Sequence, residues 1–186
     1  MAKRQNSDVT LLQNSAIRLS RVHFWLIGGY AAVLLATDAW NLITRQLVWQ
    51  RWALVCTMII VTTFVWYLAR ANLKTVAYYR LLIIALVLMD IGLATFAVYT
   101  ERGMASRGVA LYALAIVSST ALLNRTAMFG TAALSTAAYI MAATRYFYVN
   151  FNEGYKIELY TTLALYSVSF LILAALLWVV VTPDRR

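Results

Sequence analysis

A single cysteine, a single histidine, a single proline and seven acidic residues are all that 186 positions carry of those types, and each scarcity removes a class of chemistry. With Cys56 alone, neither an internal disulfide nor a thiolate cluster forms. With His23 alone, a bis-histidine haem site is excluded, and the residue reads as a polar anchor at the cytoplasmic edge of an apolar span. No Gly-rich phosphate loop, Ser-His-Asp set or metal-ligand spacing occurs, so the chain is expected to have no catalytic activity, no resident cofactor and no metal site of its own. The lone proline, Pro183, follows the last apolar stretch. The spans before it are therefore expected to be unbroken helices, unlike the interrupted helices that surround a midplane transport site.

Apolar sequence fills the space these absences leave. Hydrophobic residues make up 63% of the chain and charged residues 12%, against roughly a quarter charged in soluble domains. Six stretches read as membrane spans: Phe24–Ile43, Trp52–Ala69, Leu81–Tyr99, Val109–Leu123, Ala127–Val149 and Leu159–Val181. The fourth is the shortest, which leaves five spans as the alternative count. The fold class expected is all-α, a polytopic six-transmembrane-helix bundle with an amphipathic N-terminal helix. That helix is placed over Ser7–Arg21, capped by Ser7 or Asp8 and lying along the membrane surface with Leu11, Leu12, Ala16 and Leu19 near one face. The organisation expected is a cytoplasmic segment over residues 1–22, the transmembrane domain over 23–182 and a cytoplasmic end over 183–186. About twenty polar residues precede the first span, so it is not read as a cleavable signal.

Basic residues orient the chain. An inside amino terminus puts Lys3, Arg4, Arg18, Arg21, Arg70, Lys74, Arg80, Arg125, Arg185 and Arg186 in the cytoplasm, ten of the sixteen cations. Both termini are then cytoplasmic. The net charge of +9 is assigned to this topology and to anionic membrane lipids, with no nucleic-acid partner expected.

A charged group at mid-bilayer costs about 2.5–3.5 kcal/mol on insertion scales and normally faces protein or water. Asp90 sits near the middle of the third span, Asp38 in the outer third of the first, and Arg145 near the outer end of the fifth. These three are expected to form a polar core, with an Asp38–Arg145 pair across the outer half and helix packing as the plain alternative role. Around Arg145, Tyr139, Tyr146, Phe147, Tyr148, Phe151, Tyr155 and Tyr160 form an aromatic belt. With Trp40 and Tyr139 lining it, such a vestibule suits an amphipathic ligand such as a quinone or a lipid headgroup. Small residues at Gly130, Ala133, Ala137 and Ala138, and at Ala115, Ser118, Ser119 and Ala121, mark the fifth and fourth spans as the tight centre or a dimer seam.

The run YTERGMASRGVALYALAIVSSTALL, Tyr99 to Leu123, resembles the segment between the third and fourth spans of six-span membrane input domains of bacterial sensor histidine kinases and related membrane-anchored cyclases. Thr100, Gly103, Met104 and Ser106 match the family's loop in order, while Arg107 and Gly108 stand where it has Pro-Phe. The resemblance covers about Arg21 to Val181. It implies a sensor of a two-component system in the bacterial inner membrane, working as a homodimer, with Arg102, Ser106 and Arg107 in a sensing loop. It also implies a last helix that leads to a cytoplasmic kinase or other output domain beyond the C-terminus; the chain itself holds no phosphoacceptor-His region. Two rival readings stand beside it: a small transporter or channel using Asp90 as a proton or cation site, and a structural subunit of a membrane complex.

Overall fold

The computed structural model describes residues 2–40, 45–71, 75–101, 103–150 and 156–181, with side chains from Asp8 onward. Its helices are α1 (Ala2–Ala39), α2 (Arg45–Ala69), α3 (Val76–Thr100), α4 (Leu111–Ser119), α5 (Arg125–Asn150) and α6 (Lys156–Val181). Five of them, α1 from Asp8 onward, α2, α3, α5 and α6, are long and apolar enough to cross a membrane. Their hydroxyl residues fit an apolar setting because many fold back on their own helix. Thr57, Thr161 and Ser169, all exposed, donate to the carbonyls of Ala53, Ile157 and Leu165 four residues earlier. The polar group is thereby neutralised without a partner from outside.

The six-span expectation meets a difference at α4, which has nine α-helical residues. Turns of 3-10 helix extend it at both ends, Arg107–Ala110 before it and Thr120–Leu122 after it. The tighter winding stretches the segment to about 27 Å, close to the roughly 30 Å of a hydrocarbon core. Both ends have local causes. The Ser106 hydroxyl caps the first turn by accepting from the Gly108 amide. At the far end Leu123 takes a left-handed conformation, φ 51°, which a helix cannot propagate. Asn124 then starts α5, its side-chain oxygen accepting from the Thr126 amide at 3.0 Å.

The chain divides into two compact units, residues 1–86 and 87–186. In the first, α1 and α2 form an antiparallel hairpin followed by the opening half of α3. The surface helix expected over Ser7–Arg21 is not a separate element, because α1 runs unbroken from Ala2 to Ala39. Neither proline nor glycine interrupts the sequence before Gly28, and the buried residues Leu12, Ala16, Ser20, His23, Ile27 and Leu34 continue one helical face. The early part of α1 is also held by the end of α2, whose last carbonyls lack helical partners. Gln13 donates to the Ala69 carbonyl at 3.1 Å, while Tyr78 and Tyr79 donate to those of Leu68 and Ala71. His23 is fully buried, with Nδ1 2.9 Å from the Leu19 carbonyl.

In the second unit, α4 lies antiparallel to the closing half of α3, since Tyr112 meets Thr95 and Ser118 meets Asp90. The small residues Ala115, Ser118 and Ser119 are buried, as expected. On α5 the strip does not form the tight centre, the first of its two expected roles: Gly130, Ala133 and Ala137 are exposed, and Met128, Thr131, Ala132, Ser135, Tyr139, Ala142, Ala143 and Phe147 turn inward. Burying Met128, Tyr139 and Phe147 removes more apolar area than burying an alanine strip does. The 103–108 segment is pinned to this unit. Gly103 adopts φ +61° with the Tyr146 ring where a Cβ would stand, and Ser106 donates to the Ala97 carbonyl.

Candidate functional site in the second unit

The core of the second unit holds the one buried carboxyl group among the described residues. Asp90, 2% exposed, sits among Leu86, Val87, Ile91 and Ala94 on a helix face that is otherwise apolar. Ser118 of α4 donates to its Oδ2 at 3.0 Å. Such a contact, between groups 28 residues apart, ties α3 to α4 more tightly than apolar packing alone, because either group buried without a partner carries a desolvation penalty.

Toward the C-terminal end of α3, a second polar contact joins the same two helices. The hydroxyls of Thr95 and Tyr112 lie 2.9 Å apart, and Thr95 also donates back to the Ile91 carbonyl. The Tyr112 ring continues the layer sideways into α5 and α6. It packs against Tyr139 at 6.1 Å and Phe170 at 5.6 Å, and Tyr139 meets Tyr166 edge-on at 5.4 Å. These offset and edge-to-face pairs each add about 0.5–1.5 kcal/mol beyond the area they bury. Side chains of α4, α5 and α6 therefore form one rigid aromatic layer adjoining the Asp90–Ser118 contact.

This layer is incompletely satisfied. The hydroxyls of Ser135 and Tyr139, one helical turn apart on the buried face of α5, have no hydrogen-bond partner, and neither does the neighbouring Thr136 hydroxyl. An orphaned buried hydroxyl costs on the order of 1–3 kcal/mol. Two such groups on one face make a place where a polar guest or an ordered water would complete the network. Replacing Tyr139 by phenylalanine deletes one orphan while keeping the ring contacts. It is expected to raise stability by about 1 kcal/mol in detergent unfolding, whereas a loss would mean that the hydroxyl is already satisfied.

The remaining residues singled out from the sequence fall in both units. Asp38 and Trp40 belong to the first unit and are exposed, Trp40 at 73%. Arg145 is exposed at the end of α5, with its guanidinium carbon 6.0 Å from the centre of the Tyr99 ring. Of the three ionisable groups expected to build the polar core, Asp90 is the buried one. Arg107 is exposed. Ser106 is buried and serves as a staple, accepting from Gly108 and reaching Ala97 and Glu101. Arg102 and the 183–186 end lie outside the described residues.

From the sequence, Ser118 reads as a packing residue and, with Asp90, Thr95 and Ser119, as one of the few polar groups open to a transport path, while Ser135, Tyr112, Tyr166 and Phe170 are not singled out as neighbours of Tyr139. The available signal was the four-residue spacing of Ser135 and Tyr139, which places two hydroxyls on one face of α5. Comparison with family models, with curated proteins and with solved structures finds no match to this chain.

Proposed function

We propose that this chain is a membrane sensory or regulatory module, the input part of a histidine-kinase-like signalling protein, in which the polar core of the second unit reads the signal and the last helix relays it. The observation that carries the reading is the unfinished hydroxyl pair at Ser135 and Tyr139, with the Tyr139 ring packed directly against α6. A guest that satisfies those hydroxyls gains free energy only in the helix arrangement that presents them, and this differential affinity is the physical requirement for a ligand-driven switch. Tyr166 and Phe170 belong to α6 and share the aromatic layer. A rearrangement around Tyr139 is thus felt first by the helix whose end leads toward the output.

Other parts of the reading rest on the sequence. The asymmetry of Lys and Arg supports cytoplasmic termini, with α4 and its flanking turns making a sixth crossing in a bacterial inner membrane. The outward strip Gly130, Ala133 and Ala137 of α5 supports a homodimer, and the resemblance supports a cytoplasmic kinase or other output domain as partner. The signal is carried by a small polar or amphipathic molecule, of which a quinone or a lipid headgroup are examples. No catalytic step belongs to this chain.

The principal rival is a small transporter or channel built on Asp90, which would need a continuous polar path through the second unit. Purified protein in liposomes loaded with a pH-sensitive dye separates the two. The sensory reading expects proton and cation flux equal to that of empty liposomes, for wild type and Asp90→Asn alike. Flux above that level that disappears in Asp90→Asn would overturn it in favour of transport.

A further inference from the structure

Within the first unit, the outward face of α2 carries an apolar groove lined by Ile59, Ile60, Thr63, Phe64, Trp66 and Tyr67. Phe64 and Tyr67 are widely exposed, at 61% and 71%. The groove does not end on apolar sequence. One turn beyond Trp66, the Arg70 guanidinium lies 3.7 Å from the centre of the Trp66 ring, and that indole also meets the Phe24 ring edge-on at 6.4 Å. A guanidinium held on an indole face loses little further freedom on binding and keeps its N–H edge available for a planar or tetrahedral anion.

We infer that this groove is a site for an acidic phospholipid, with one acyl chain along Ile59–Tyr67 and the phosphate on Arg70. Three observations support it. First, the distance fits: the eleven residue steps from Ile59 to Arg70 rise about 16 Å, which is half of a hydrocarbon core of about 30 Å, the depth of one leaflet. Second, the chemistry at the two ends is that of the lipid, apolar along the groove and cationic at its mouth, where α2 ends at Ala69 and a headgroup region is expected. Third, the charge balance selects the headgroup. No Asp or Glu occurs between Asp38 and Asp90, while Arg70, Lys74 and Arg80 cluster within eleven positions. A zwitterionic headgroup would bring its ammonium to a mouth whose own helix carries no carboxylate to receive it; an acidic headgroup presents negative charge alone. Arg is also suited to bidentate phosphate contact.

The test uses the full chain reconstituted in nanodiscs of phosphatidylcholine alone or mixed with phosphatidylglycerol, then released for native mass spectrometry to count retained lipids. Phosphatidylglycerol is expected to be retained about fivefold over phosphatidylcholine. Arg70→Gln abolishes the preference and Phe64→Ala weakens retention of both lipids. Arg80→Gln, which removes an equal charge one helix away, leaves the preference intact, and inorganic phosphate does not compete. Equal losses in Arg70→Gln and Arg80→Gln would overturn the proposal, since they would mean a diffuse charge effect. A lipid-free dimer seated on α2 in the wild type would also overturn it, by assigning the groove to a second copy. Thermal midpoints matching wild type confirm that the exposed substitutions leave the fold unchanged.

Discussion

Gly108→Ala is expected to destabilise the protein by about 2–3 kcal/mol. A Cβ at this position would stand 2.6 Å from the Ala97 Cβ, 3.0 Å from the Ser106 hydroxyl oxygen and 3.2 Å from the Ala97 carbonyl carbon. None of these atoms is the flexible end of a long side chain, so relief requires the 106–110 turn or α3 itself to move. The turn is fixed by two hydrogen bonds of Ser106, one from the Gly108 amide and one to the Ala97 carbonyl. Moving it also shifts the start of α4 and hence Tyr112. Thermal unfolding in detergent, followed by tryptophan fluorescence, measures the loss. Adding Ala97→Gly removes the nearest clashing atom and is expected to recover part of the stability, less the roughly 1 kcal/mol cost of glycine inside a helix. An unchanged midpoint in Gly108→Ala would show that the turn does not pack on α3 as described.

Ser118→Ala should cost about 2 kcal/mol, far more than an exposed serine would, because it removes a hydroxyl that donates to Asp90 in an apolar core. The same substitution made in an Asp90→Leu background is expected to cost close to nothing. The difference between the two backgrounds is the coupling energy, expected to fall at about 1–3 kcal/mol for groups in direct contact. Additive effects would mean that the two side chains do not meet. This pair is decisive because both the sensory reading and its transport rival give Asp90 a special role, and its energetic attachment to α4 bears on both.

Much of the architecture is legible in the apolar runs, and the places where it is not have identifiable causes. The five long helices follow from stretches that have no other way to satisfy their backbones in lipid. The shortness of α4 is legible from its flanks, where Arg107-Gly108 and Asn124-Arg125 bound the apolar segment. Continuity of α1 is harder to read, since a surface helix and a packed one share the same periodicity; the Gln13 contact with Ala69 decides between them and involves residues 56 apart. The inward face of α5 was hidden for a related reason. Small residues occur on both sides of that helix, so the choice falls to Met128, Tyr139 and Phe147. At the site, a lone acid in LLIIALVLMDIGLATFAVY announces Asp90 as buried and special. Its partner is not announced, because most Ser and Thr in these helices bond their own backbone, as Thr95, Thr131 and Ser167 do, and sequence alone does not reveal that Ser118 departs from them. Asp38 and Arg145, near helix ends, read the same whether they face the protein or its surroundings.

A buried hydroxyl without a partner occurs in the first unit as well, at Thr62, but in the second unit Ser135, Thr136 and Tyr139 bring three such groups together on α5. Removal of a buried hydroxyl normally costs stability; here Tyr139→Phe is expected to increase it, which is the behaviour of a group held for something other than folding. The layer of Tyr112, Tyr139, Tyr166 and Phe170 gives such a group a mechanical connection, since rings in close contact do not reorient independently.

Hydrogen–deuterium exchange on wild type and Asp90→Asn, both in nanodiscs, tests the connection most directly. If the polar core is coupled to the last helix, the substitution changes protection not only around Asp90 and Ser118 but along α6 through the Leu163–Ala174 stretch, while the α1–α2 hairpin keeps its wild-type pattern. Changes confined to the immediate neighbours of residue 90, with α6 exchanging as in the wild type, would contradict the account.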